Sequence, residues 1–165
     1  MSMRSLEHSG PRVVRNDGAE RVQDGDTSEL VLLADAAHTH GTLSINRALL
    51  APGSPGAPVH SHQSTTEAIF VIDGSLDVLV DEDVATLVAG DLVILTPGTV
   101  HAFAPTADHA ADMLAIFSPG QDRFDYYRLL ERLYRGTSTL EELQRVAGTY
   151  DNHYAQSVVW QRHRP

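Results

Sequence analysis

Short β-type runs recur through the middle of the chain, at 29–34, 42–50, 68–72, 76–80, 85–88, 92–95, 100–104 and 113–117. Asp-Gly, Pro-Gly and Ala-Gly pairs punctuate the gaps between them. Such even spacing predicts a sandwich or barrel, because βαβ units would need helix-length crossovers between strands. Asp73-Gly74 is the plainest hairpin signal, since tight hairpin turns need positive φ, which this pair supplies.

After Ser118-Pro119-Gly120 the period changes. Phe124, Tyr127, Leu130 and Tyr134 follow at three- and four-residue steps, which predicts an amphipathic helix ending near Gly136. Ser138-x-x-Glu141 and Thr139-x-x-Glu142 each offer a capping box for a second helix through Leu140, Leu143 and Val146. The aromatic stripe is read as packing, because a helix beside a barrel must bury one face. These helices are expected over the barrel's mouth or outer wall. The residues up to Asp26 show no lasting apolar period, only one short strand around 12–14. The chain thus divides into an N-terminal arm (1–27), a β-barrel (28–120) and a C-terminal helical appendage of the same domain (121–165), an all-β fold with a helical tail.

Charge and composition narrow the partners. A chain of 165 residues is one domain's worth and can bury a core. Twelve Lys+Arg against 22 Asp+Glu leave a formal charge of −10, which argues against nucleic acid or an anionic membrane, since either needs a basic face. No apolar run approaches the ~18 residues of a membrane span. Residues 1–15 lack the apolar stretch of a signal peptide, and the absence of Cys is compatible with a reducing compartment. A cytoplasmic protein is expected.

The chemistry concentrates between residues 60 and 101: His60-x-His62, Glu67 and Gly74, then Gly90-Asp91, Gly98 and His101. Imidazole nitrogen and carboxylate oxygen suit first-row divalent ions, and a chain without Cys has no thiolate-rich site. Along a strand alternate side chains share a face, so His60 and His62 can serve one ion. Glu67 would face them across a turn, and only a fold that closes on itself brings in His101. Nine His in the chain make about 0.5 HxH pairs expected from composition alone. Requiring Glu five residues later and Gly seven beyond that lowers the expectation to about 0.002. His38-x-His40 repeats the pair without the acid and is read as part of a turn, and Asp81, Glu82 and Asp83 as a solvated hairpin tip.

With its residues so arranged, the chain resembles the cupin superfamily, in particular single-domain members such as the quercetin dioxygenase-like proteins. The first cupin motif appears as His60-Ser-His62, four residues, Glu67, six residues, Gly74. The second appears as Gly90, then Pro97-Gly98, two residues, His101. Three positions depart from the pattern. Ser54 stands where the leading Gly belongs, with Gly53 one place early; Thr96 replaces a Pro, and Pro105 replaces the terminal Asn.

The resemblance implies a jelly-roll barrel that dimerises through its sheets, with His60, His62, Glu67 and His101 as ligands of one divalent ion, Fe, Mn, Ni or Zn. Glu67 would also act as proton acceptor. Strand alternation nominates Ile69 and Val71 beside Glu67, Phe103 beside His101, and Arg47 from the preceding strand as walls of a substrate pocket, against simple packing and a solvent-facing charge. The implied activity is that of a dioxygenase on a small oxygen-chelating, flavonol- or enol-like substrate. Its alternatives are a non-redox isomerase, cyclase or decarboxylase, or a small-ligand-binding cupin. A His-held ion is expected to leave below about pH 6, as imidazoles protonate.

Overall fold

The computed structural model describes residues 11–164. Ten strands are followed, and in one place interleaved, by three short helices. The strands are β1 (Glu20–Gly25), β2 (Ser28–Ala34), β3 (Ser44–Leu50), β4 (Ala57–Ser61), β5 (Thr66–Val80), β6 (Asp83–Val88), β7 (Leu92–Leu95), β8 (His101–Pro105), β9 (Ala111–Ser118) and β10 (His153–Tyr154). The helices are α1 (Phe124–Tyr134), α2 (Leu140–Ala147) and α3 (Val158–His163). All pairings are antiparallel, and the strands curl into two walls that share β5. The first half of β5 pairs with β9 and β7, and its second half with β8 and β6.

That shared strand overturns the hairpin expected at Asp73-Gly74. The runs at 68–72 and 76–80 belong to one 15-residue strand. Gly74 has φ +81, but the positive φ serves a kink: the register against β9 shifts between Val71 and Asp73, and β5 passes from one wall to the other. A Cβ on Gly74 would lie 2.0 Å from the Ala110 carbonyl oxygen, so close backbone approach also requires glycine there. The Asp-Gly signal was real, and its meaning was a bend in a continuing strand.

Two further differences concern weakly patterned segments. The arm's strand is β1, not 12–14: Val22 packs into the core at 2% exposure, whereas Val13 is 81% exposed. β4, with the sequence Ala-Pro-Val-His-Ser, has too little apolar alternation to stand out.

The main core joins inward residues of both walls, among them Leu30, Ala48, Ile69, Val71, Leu76, Val78 and Met113, to Tyr126, Tyr127, Leu129 and Leu143 of α1 and α2. Of the expected stripe, Tyr127 is buried and Phe124 and Leu130 pack against this core, whereas Tyr134 at the helix end is 41% exposed. Thr139 caps α2, its hydroxyl accepting from the Glu142 amide at 3.1 Å. α3 packs elsewhere, Trp160 against Leu79, Ala102 and Ala104. Arg164 then donates to the carbonyls of Ser54 (3.2 Å) and Pro105 (2.7 Å), two positions where the chain departs from the cupin pattern. Among the described residues no helix is long and apolar enough to cross a membrane.

Candidate metal centre

Four side chains from three strands and a turn meet inside the barrel. His60 lies near the end of β4 and His62 just beyond it; Glu67 is the second residue of β5, and His101 opens β8. His60 and His101 are direct partners in the β4–β8 register. One ligating atom from each of His60, His62, Glu67 and His101 lies within 4.8 Å of all the others, and none of the four residues is more than 6% exposed.

Backbone carbonyls fix the imidazoles. Nδ1 of His60 meets the Pro58 carbonyl at 2.7 Å, Nδ1 of His62 the Asp151 carbonyl at 2.6 Å, and Nδ1 of His101 the Thr99 carbonyl at 2.9 Å. A carbonyl can only accept, so each Nδ1 carries the proton and each neutral ring presents an Nε2 lone pair to the centre. Two of these Nε2 atoms, of His62 and His101, lie 3.1 and 3.0 Å from the same Glu67 Oε2. Lone pair against carboxylate is repulsive unless something positive lies between. A divalent cation meets that need, and the donor set fits one.

The proton affinities say the same. Burial, reinforced by neighbouring His101, brings His60 down to about 3 and keeps it neutral. Burial also opposes charge on His101, but contact with Glu67 outweighs it and raises the pKa. On Glu67 burial is overcome by the hydrogen bonds with His101 and His62, and the carboxyl is held well below its usual range. Without a metal, a proton on His must do the cation's work.

The cupin domain profile matches residues 46–117, a span holding all four of these residues. The chain carries a cupin domain. Over 95 residues it is 30% identical to quercetin 2,3-dioxygenase of Bacillus subtilis (strain 168), a match covering 56% of this chain and 27% of that relative. The chain thus matches only about a quarter of that protein's length. An RmlC-like cupin from Shewanella frigidimarina NCIMB 400 shares the fold with a TM-score of 0.60 at 20% identity, over 70% of this chain and 96% of that one. The polyketide cyclase RemF from Streptomyces resistomycificus does so with 0.56 at 14% identity, over 79% and 100%. At such identities the structural likeness establishes the fold.

A cavity of about 400 Å³ opens beside this cluster of His and Glu side chains, reaching His60 and Glu67. Its walls are mostly apolar, with Leu30, Ala48, Phe103 and Phe117 from the barrel and Tyr126, Tyr127, Leu130 and Leu143 from α1 and α2. The helices therefore roof the barrel's mouth, one of the two places expected for them.

Of the pocket residues nominated from the cupin motifs, Phe103 alone lines this cavity. Ile69 and Val71 are wholly buried in the core and are corrected to packing residues. Arg47 is also corrected: Nε donates to Asp112 Oδ1 at 2.7 Å and Nη2 pairs with Asp112 Oδ2, on the far face of β3. The reason is phase. Asn46, Ala48 and Leu50 point inward, so Arg47 must point out.

Two buried residues of the C-terminal segment were not flagged in the sequence. Arg123 is 4% exposed and lines the cavity. Asp151 has a left-handed backbone (φ 53) and braces the loop between His62 and Glu67. Its carboxylate accepts from the Gln63 amide (2.8 Å), the Ser64 amide (3.0 Å) and the Ser64 hydroxyl (2.9 Å), while its carbonyl holds His62. Burial would raise its pKa, but these hydrogen bonds outweigh it and hold the carboxyl well below the usual range. Neither position has a local sequence signal: Asp151 acts across 87 to 89 residues of chain, and the Arg123 side chain, whose partners Tyr127 and Tyr150 follow 4 and 27 residues later, is buried only by the tertiary fold.

Proposed function

We propose that the protein is a metal-dependent cupin enzyme, a dioxygenase acting on a small, oxygen-chelating substrate of flavonol or enol type. One observation carries the reading: three Nε2 lone pairs and a carboxylate oxygen converge on a point beside a ring-sized apolar cavity. In this reading His60, His62, Glu67 and His101 hold the ion. When bound, it would supply Lewis acidity toward an enolate or phenolate oxygen and, if redox-active, electron transfer to O₂. Glu67 would exchange its place in the ligand set for proton acceptance, one role at a time. Phe103, Phe117 and the α1 tyrosines would orient the substrate's flat body and exclude water.

The test is metal analysis of the purified protein followed by oxygen-electrode traces with flavonols, acireductones and catechols. Uptake with an Fe-, Mn- or Ni-loaded sample supports the dioxygenase. Absence of uptake with every metal removes it. A second reading, non-redox isomerisation, cyclisation or decarboxylation of a carbonyl compound, draws support from the polar Arg123 and Asn46 in the cavity wall, which could polarise a carbonyl without O₂. Turnover under nitrogen with Zn(II) would select it. Binding without turnover would select a small-ligand module.

A homodimer and a cytoplasmic setting belong to the same proposal. Phe70, Ile72, Leu92 and Ile94 are exposed together on the outer face of paired β5 and β7, an apolar strip that a second copy would cover. Sedimentation of wild type against Ile94→Asp tests the dimer.

A further inference from the structure

Arg123 is a buried guanidinium with no carboxylate partner among the described residues. Its Nε donates to the Tyr127 hydroxyl at 3.2 Å, and its Nη1 to the Tyr150 carbonyl at 3.1 Å. Its plane sits 4.4 Å over the centre of Phe117. Phe117 in turn stands edge-on to His62, with ring centres 5.6 Å apart, so the cation lies one ring away from the metal cluster. No described residue accepts from Nη2.

A buried cation without a counter-ion is costly, and proteins ordinarily pair it. The nearby carboxylate, Glu67, is already engaged by His62 and His101. Arg123 has instead been placed at the wall of a cavity that also opens on His60 and Glu67. Asn46 reinforces the arrangement. Its Oδ1 accepts from Tyr127 at 2.8 Å, while its Nδ2 has no acceptor among the described residues and lines the same cavity. Arg123, Tyr127 and Asn46 thus form one hydrogen-bonded chain in the wall of the cavity beside the His and Glu cluster, with two donors, Nη2 and Nδ2, left over.

We propose that Arg123, with Asn46 beside it, is an anion subsite, and that the ligand of this cavity is an apolar, ring-bearing acid whose carboxylate pairs with Arg123. The inference rests on the metal-enzyme reading above and narrows its substrate to acids. A guanidinium suits a carboxylate in both shape and charge, and a water-poor wall strengthens the pair. The apolar rings of Phe103, Phe117 and Tyr126 would hold the body of the acid.

The experiment is calorimetric titration of the purified protein with 3-phenylpropanoate and with its neutral amide. Metal content and melting temperature are measured on each sample. Wild type should bind the carboxylate about tenfold or more tightly than the amide. Arg123→Gln should abolish that preference, and Arg123→Lys should keep part of it. Asn46→Asp places an internal carboxylate on the same hydrogen-bond chain and should also abolish the preference, which keeps the test decisive if Arg123→Gln does not fold. Equal binding of acid and amide by wild type would overturn the subsite, as would a preference that survives both Arg123→Gln and Asn46→Asp. Metal content reports separately on the parent reading: no bound metal with an intact, Arg123-dependent preference refutes the enzyme and keeps the anion site.

Discussion

The two ends of the cavity are built from different kinds of sequence. At one end, the four converging His and Glu side chains come from residues 60–101, held by short-range contacts such as Nδ1 of His60 on the carbonyl of Pro58 and Nδ1 of His101 on that of Thr99. At the other, Arg123, Tyr127 and Leu143 come from the segment after the barrel, and so does Asp151, which lies outside the cavity wall and reaches back 89 residues to His62. The difference separates duties. A local motif can carry a metal site from one barrel to another, whereas the roof decides what reaches it.

The largest expected effects lie at the His and Glu end. His101→Ala removes one of the converging lone pairs, and metal affinity should fall by more than ~100-fold, beyond what loss of a supporting contact causes. Glu67→Gln divides the effect in two. Without a metal the carboxylate holds a proton on His101, which a neutral amide cannot do, so at pH 6.5 the metal-free protein should lose about 1 kcal/mol, or roughly 2–4 °C in melting temperature. Metal affinity should fall in the same variant. Metal-free melting that rises in Glu67→Gln would mean that no proton on His stands in for the cation and that the carboxylate and the imidazoles repel one another.

Asp151→Asn probes where the two regions touch. Asn tolerates the left-handed backbone and keeps the carbonyl that orients His62, but it weakens the three hydrogen bonds that pin residues 63 and 64. Metal affinity should fall about 10-fold, the lower end of the range for supporting partners. If affinity is unchanged when measured by competition with a chelator, the brace has no part in the metal site and the two ends are independent.

Acid should separate the regions next. In the metal-free protein the folded pKa of His60 is about 3, below its ordinary 6.5, so the unfolded chain takes up a proton that the folded one refuses. Stability is therefore lost as pH falls from 6.5 toward 3. His101 is shifted the other way; its contribution is complete below 6.5 and adds no slope there. Asp151, held low, contributes above its ordinary 3.8 and is lost only in stronger acid. Melting of the metal-free protein should thus fall steadily from pH 6.5 to 4, and His60→Asn should flatten that fall. An unchanged slope in His60→Asn would show that another group controls acid stability.

What could be read from the sequence follows the same division. The barrel strands with apolar alternation, the α1 stripe and the Thr139 cap were visible because each is a local pattern. The four His and Glu positions were visible because the spacing of both motifs is rare by chance. Asp73-Gly74 misled because a positive φ serves a kink as readily as a turn. Arg47 misled because alternation gives a period but not a phase, and only the β3–β9 pairing shows that Asn46 and Ala48 face inward. Asp151 had no signal because its partners lie on other elements, and Arg123 had none because no local pattern tells that a guanidinium at the start of α1 is buried over Phe117.

Loosening the roof alone gives the smallest effect and the sharpest separation. Thr139 caps α2 through one hydrogen bond to the Glu142 amide, and α2 carries Leu143 into the cavity wall without touching a ligand. Loss of such a cap costs about 1 kcal/mol, so Thr139→Ala should lower the melting temperature by about 2–4 °C. Metal content should stay at its wild-type value, because the cap is not bonded to the loop that Asp151 holds. Binding of an apolar ligand should weaken, since a frayed α2 presents Leu143 less often. A variant that lost metal along with its roof would show that the barrel motif needs the C-terminal segment even to hold its ion, and the division between a portable metal site and a chain-specific roof would fail.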